Sequence, residues 1–182
     1  YGVLSPRVTM SKGRMRVSDY VIFTDANTDM TQEMVDSLGV QVLPMRFMLN
    51  EKEYYNYPDG REIDVKDFYS ALRAGATTST SQTNTPEYVD LFRPLMQEGK
   101  DVLYLGFSSG LSGTVNAAAL AVDELMQEFP DRTLVVVDTL CASLGEALMV
   151  WHAATLQQEG KSLQEVATWV LENREKVCHW FT

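Results

Sequence analysis

Four short, mostly apolar runs, each followed by a stretch of helical periodicity, constrain this chain more than any other feature. They are Tyr20 to Phe23, Val40 to Leu43, Val102 to Phe107 and Leu134 to Val137. Strands with one face in water alternate apolar and polar residues, whereas near-continuous apolar runs are buried on both faces. Strands that alternate with helices imply an α/β fold with a mainly parallel sheet and helices on both faces. Ligands of such folds bind beyond the carboxyl ends of the strands.

The helices have readable ends. Asp29 with Gln32 resembles a capping box, Met34, Val35 and Leu38 follow at helical spacing, and Gly39 stops the segment. Asp64 is the expected N-cap of a helix with Val65, Phe68, Tyr69 and Leu72 on one face, ending at Gly75. Thr85 with Pro86 opens a helix that Pro94 should kink, and Ser162 with Glu165 caps the last one. Further helices are expected from the 108–114 turn to about Phe129 and from about Leu144 to Gly160. Between the second strand and the Asp64 helix, Met45 to Leu49 and Lys52 to Tyr55 flank Asn50-Glu51. A small hairpin insertion at an edge is expected there, with Tyr57-Pro58-Asp59-Gly60 as a turn.

Composition excludes several function classes. The 182 residues, 45% apolar and 22% charged, fit one globular domain with a real core. No apolar run approaches the ~18 residues that span a bilayer. The formal net charge is −10, and residues 1–18 carry Arg7, Lys12, Arg14 and Arg16 without one acid, so the remainder nets −14. Nucleic-acid binding needs the opposite sign. Residues 1–18 also lack the apolar stretch of a secretory signal, so they read as a basic, flexible extension of a cytoplasmic protein. The chain starts at Tyr1 and stops just after Val177 to Phe181, which reads like the start of a strand; a longer parent is expected.

Two loops carry hydroxyls in unusual density. Seven of the ten residues from Ala76 to Thr85 are Ser or Thr, and Ser108-Ser109-Gly110-Leu111-Ser112-Gly113-Thr114 joins the third strand to a helix. Glycines there let the backbone approach a ligand, and the free N–H groups of the helix favour an anion. Neither a P-loop lysine nor G-x-G-x-x-G is present. Converging on one site, the loops would hold a carboxylate or phosphate with neutral donors, as a chain of net −14 requires.

Other chemistries have candidate residues too. Gly106-Phe107-Ser108-Ser109-Gly110 satisfies G-x-S-x-G, which makes Ser108 a candidate hydrolase nucleophile with Asp138 and His179 in triad order. His179, however, lies in an apolar run where a strand is expected. A zinc site from Cys141, His152, Cys178 and His179 has the wrong spacing, and His152 reads as a partly buried structural residue. The strand-end carboxylates Asp25 and Asp138 suit acid–base work or a cation, and suit loop capping better. The nine methionines read mainly as core filler.

Four ordered motifs together resemble the DegV family: Asp19-Tyr20-Val21-Ile22-Phe23-Thr24-Asp25 with Asp29, Thr80-Ser81-Gln82, the 108–114 turn, and Val136-Val137-Asp138-Thr139 with Ala142-Ser143. The resemblance runs from about Asp19 to Thr182. It implies a bacterial two-domain protein that binds a long-chain fatty acid in a tunnel, without turnover of its own or a cofactor, and presents it to a partner fatty acid kinase. Residues 19–176 would then be the first domain and 177–182 the start of the second. Carried over residue by residue, Thr80 and Ser109 would hold the carboxylate, with Ser81 and Gly110 beside them and Ser108 as the alternative to Ser109. Unlike many relatives, this chain has Thr83-Asn84 after T-S-Q and delays its proline to Pro86. About fifteen buried methylenes at ~0.8 kcal/mol each would dominate affinity, and the hydroxyls would add roughly 1–3 kcal/mol and orientation.

Overall fold

The computed structural model describes residues 20–180, so the 1–18 extension and the last two residues of the 177–182 segment lie outside the described residues. In chain order the first elements are β1 (Tyr20–Asp25), α1 (Gln32–Leu38), β2 (Gln41–Leu43), β3 (Met45–Leu49), β4 (Lys52–Asn56), α2 (Val65–Arg73) and β5 (Thr78–Thr80). They are followed by α3 (Thr85–Gln97), β6 (Asp101–Gly106), α4 (Thr114–Glu128), β7 (Leu134–Asp138), α5 (Ser143–Gln158) and α6 (Leu163–Asn173).

Four strands form one parallel sheet in the order β2-β1-β6-β7. Period-2 alternation sends its side chains to two cores. Ile22, Leu103, Leu105 and Val137 pack under α1, α5 and α6, while Phe23, Val102, Tyr104 and Leu134 pack under α3 and α4. This double burial is why the strands read as apolar runs rather than as alternating ones. The expected α/β architecture is present.

The hairpin is larger than its sequence suggested. β3 pairs with β4 and also with β5, giving an antiparallel sheet in the order β4-β3-β5. Thr78 to Thr80 therefore form an exposed edge strand rather than a solvated loop. Phe47 stacks on Tyr54 and meets Phe68 of α2 edge-on, which holds that helix to the small sheet. Two other residues of the predicted α2 face are bare: Val65 is 62% exposed and Tyr69 52%.

Several helix starts move by one or two residues for identifiable reasons. Asp29 does not cap α1. It takes a left-handed conformation, φ 55°, that closes a one-turn 3-10 segment, and Thr31 caps α1 by accepting Met34 N–H at 3.3 Å. Asn84 rather than Thr85 caps α3, in a capping box with Glu87, and α3 runs through Pro94 as one helix. The Ser162–Glu165 capping box and the Asp64 cap form as read. Val177 to Trp180 make no strand; this stretch folds so that His179 seats on Gly145 of α5, where a Cβ would come within 2.8 Å of its ring.

Candidate functional site

A cleft of about 350 Å³ opens at the carboxyl ends of β1 and β6. It is lined by the hydroxyl residues Thr80, Ser81, Thr83, Ser112 and Thr114 and by the apolar Leu43, Pro44, Met45, Phe107 and Leu111. Asp25, Asn27 and Gln82 complete it. No lysine or arginine among the described residues lines it. A depression of similar volume beside Trp169 lies on the outer side of α6, near Lys161, whose carbonyl receives Tyr20 OH from the opposite end of β1.

The two hydroxyl-bearing loops therefore meet, as their composition implied, although they arrive from different sheets. Thr80 ends β5, and Ser81 continues its ladder by donating its N–H to Arg46 O at 3.2 Å. On the other side the turn after β6 is wound tightly. Leu111 and Ser112 N–H both donate to Ser108 O, and Ser112 Oγ lies 2.7 Å from Thr114 Oγ1. Ser112 Oγ also accepts Thr114 N–H, which arrays both hydroxyls at the first turn of α4.

This winding sorts the predicted residues. Thr80 and Ser81 line the cleft; Ser109 and Gly110 sit on the exposed outside of the turn, where Ser109 N–H donates to Asp138 Oδ1 at 3.1 Å. Ser108 is buried, and its hydroxyl accepts Gly110 N–H at 3.3 Å. Ser112, Thr114, Thr83, Gln82 and Asn27 are polar lining residues that the sequence did not single out. The missed signal was in plain view: Ser112 and Thr114, two residues apart, flank the glycine at which α4 begins.

Nothing in this geometry favours the hydrolase. A nucleophile elbow places serine on a sharp strand-to-helix turn, whereas α4 starts only at Thr114 and the Ser108 oxygen is engaged by its own loop. Asp138 Oδ1 already receives the N–H groups of Ser109 and Leu140. His152 meets Trp151 edge-on and Trp169 at a tilt, each ring centroid 4.8 Å away. Among the described residues no group of three His, Cys, Asp or Glu side chains is placed to hold a metal ion.

Beneath the cleft lies a buried polar network. Asp25 is 3% exposed; its Oδ1 accepts from the backbone and side chain of Asn27, and its Oδ2 accepts from Tyr104 OH at 3.0 Å and Phe107 N–H at 3.1 Å. Tyr104 OH lies 2.9 Å from Tyr88 OH. Because Tyr104 donates to Asp25, Tyr88 is the donor to Tyr104 in this arrangement. Burial raises the Asp25 pKa against the pull of those four hydrogen bonds, and burial together with the Asp25 charge pushes Tyr104 well above the ordinary phenol. Glu146, fully buried on α5, accepts Thr24 OH at 3.2 Å on Oε1, and its Oε2 has no hydrogen-bond partner. Its carboxyl is held well above the usual range, first by burial and then by the charge of Asp25.

A doubly covered parallel sheet with a cleft free of lysine and arginine at its strand ends is an α/β domain of the class in which ligands bind beyond the strand ends. The chain belongs to the DegV family, whose model, described as "Uncharacterised protein, DegV family", matches residues 19–182. A DegV domain-containing protein of Clostridium perfringens is 41% identical over 163 residues, covering 90% of this chain and 56% of that protein. Among solved structures, the DegV family protein from Thermus thermophilus described for its fatty acid binding is 35% identical. It superposes with a TM-score of 0.73 over 86% of this chain and 54% of its own. A Thermotoga maritima protein described as revealing a fatty acid binding function is 26% identical, with a TM-score of 0.74 over 87% of this chain and 56% of its own. The chain thus spans about half the length of the relatives it matches. These solved relatives bind fatty acids.

Proposed function

We propose that this chain binds the carboxylate of a long-chain fatty acid in the cleft, as part of a carrier that presents the acid to a partner fatty acid kinase. The observation that carries the reading is the composition of the cleft. The hydroxyl residues Thr80, Ser81, Ser112 and Thr114 line it together with the apolar Leu43, Met45 and Leu111. Such a site suits a ligand with one small anionic end and a greasy remainder. Without a cation, the headgroup is oriented by hydrogen bonds and by the first turn of α4, and affinity comes from the chain. Solved relatives described as fatty-acid-binding support the ligand class. The kinase and the division into a first domain, 19–176, and a second beginning at 177 rest on the resemblance, with the half-length coverage of the relatives in keeping.

The direct test is titration of the purified, delipidated chain with oleate, read by intrinsic tryptophan fluorescence and by melting temperature, which a ligand specific for the folded state raises. Thr80→Ala combined with Ser112→Ala is expected to weaken binding roughly tenfold to a hundredfold, in line with about 1–3 kcal/mol for lost hydrogen bonds to a charged group. Ser109→Ala beside Ser112→Ala shows which side of the turn meets the carboxylate. Oleate affinity unchanged in the Thr80/Ser112 double variant would remove this cleft from consideration.

A further inference from the structure

We propose that Gln82 is a positioning residue which, seated on Gly113, sets the gap between the two hydroxyl-bearing loops. The inference rests on the fatty-acid reading of the cleft. A Cβ added to Gly113 would stand 2.8 Å from Gln82 Oε1 and 3.0 Å from Nε2, so the amide lies directly on the glycine with no room for a methyl group. Gly113 has φ −80° and ψ 1°, a conformation open to any residue. Its backbone therefore does not require glycine; the space taken by Gln82 does.

The location gives the contact its consequence. Thr80 and Ser81 belong to the small antiparallel sheet, whereas Ser112 and Thr114 belong to the start of α4 on the parallel sheet. Gln82 follows Ser81, whose N–H is tied to Arg46 O, and precedes Asn84, whose side chain caps α3. Both flanks are anchored, so the Gln82 stem is fixed and its amide spans the seam. Gly113 is the N-cap of α4 and, as a glycine, offers no capping side chain of its own. Ser112 and Thr114 flank the very residue on which Gln82 rests. A shift of the amide is thus a shift in the distance between the Thr80–Ser81 hydroxyls and the Ser112–Thr114 hydroxyls.

Gly113→Ala isolates the effect, because the atoms it would meet are the far end of a flexible side chain rather than backbone or core. The fold can accommodate the methyl by expelling the amide. The experiment is a double-mutant cycle on the full chain with oleate as the probe. Gly113→Ala and Gln82→Ala should each weaken binding about tenfold, and the double variant should bind no more weakly than Gln82→Ala alone, since the methyl then has nothing to displace. Gln82→Met, which keeps length without the amide, should bind within about threefold of the parent. Melting temperatures of the ligand-free variants should stay near that of the parent, which separates positioning from loss of fold. Additive losses, parental affinity in Gly113→Ala, or failure of Gln82→Met to exceed Gln82→Ala would each overturn the proposal.

A parent chain that does not bind oleate defeats the fatty-acid reading rather than this contact. The cycle is then read on backbone amide chemical shifts of Thr80, Ser81, Ser112 and Thr114 without ligand. Coupled, non-additive shifts across the two loops support the seat, and additive shifts overturn it.

Discussion

At Glu146 the protein buries an acid in the first turn of α5, between Gly145 and Ala147, with one carboxyl oxygen held by Thr24 and the other unpartnered. Such a group is affordable only while it keeps its proton. An unfolded glutamate ionises near 4.5, and the folded one well above that. Between those two values the folded state binds the extra proton, so stability falls as pH rises and levels off above the folded pKa. Replacing the acid by Gln removes this dependence. The Glu146→Gln variant is expected to melt above the parent at pH 8, with the advantage shrinking toward pH 5, in thermal scans across that range. A constant difference at all pH values would contradict a protonated Glu146. Neither this residue nor the Tyr88–Tyr104–Asp25 chain was legible in the sequence. An acid at a helical position reads as surface until tertiary packing closes over it. Asp25 was visible as a strand-end carboxylate, and loop capping proved to be its main employment, through Asn27 and Phe107.

Elements were read best where chemistry specific to their ends is encoded. The Ser162–Glu165 box, the Asp64 cap and the Gly39 stop all appear where the residues indicated. Asp29 and Thr85 misled because each is a good cap whose neighbour, Thr31 or Asn84, is better placed to accept the N–H two or three residues on. Ser162→Ala is therefore expected to cost about 1 kcal/mol in urea unfolding, with Asn84→Ala similar. A larger cost, about 1–3 kcal/mol, is expected for Gly106→Ala, because its Cβ would meet the Tyr104 ring at 2.7 Å and Val115 at 3.1 Å, both inside the core. Periodicity named α2 correctly yet said nothing about what covers it. Of its apolar face, Phe68 alone meets a ring outside the helix among the described residues, that of Phe47, and Tyr69 packs on Phe68. β5 escaped notice for the reverse reason: three exposed hydroxyl residues become a strand only because β3 offers them an edge.

Across the whole molecule, two sheets of unequal burial stand side by side. Val102 to Leu105 at the centre of β6 are inaccessible, while β5 is exposed throughout and no residue of β4 is fully buried. Native-state hydrogen exchange is expected to show amides of β3 to β5 opening about tenfold or more faster than those of β6. Phe47→Ala should lower protection throughout the small sheet and leave β6 protected. Equal protection in the two sheets would show that they open as one unit. The parallel sheet also has a temporal side. β1 lies between β2 and β6, and its register with β6 pairs Tyr20 with Asp101, roughly 80 residues later. At about 5–20 residues per second, a ribosome takes on the order of 4–16 s to deliver that partner. Until then Ile22 and Phe23 face an unfilled edge where β6 will lie. One of the two inner strands of the finished sheet is thus left open on that side for most of the time the domain is being made.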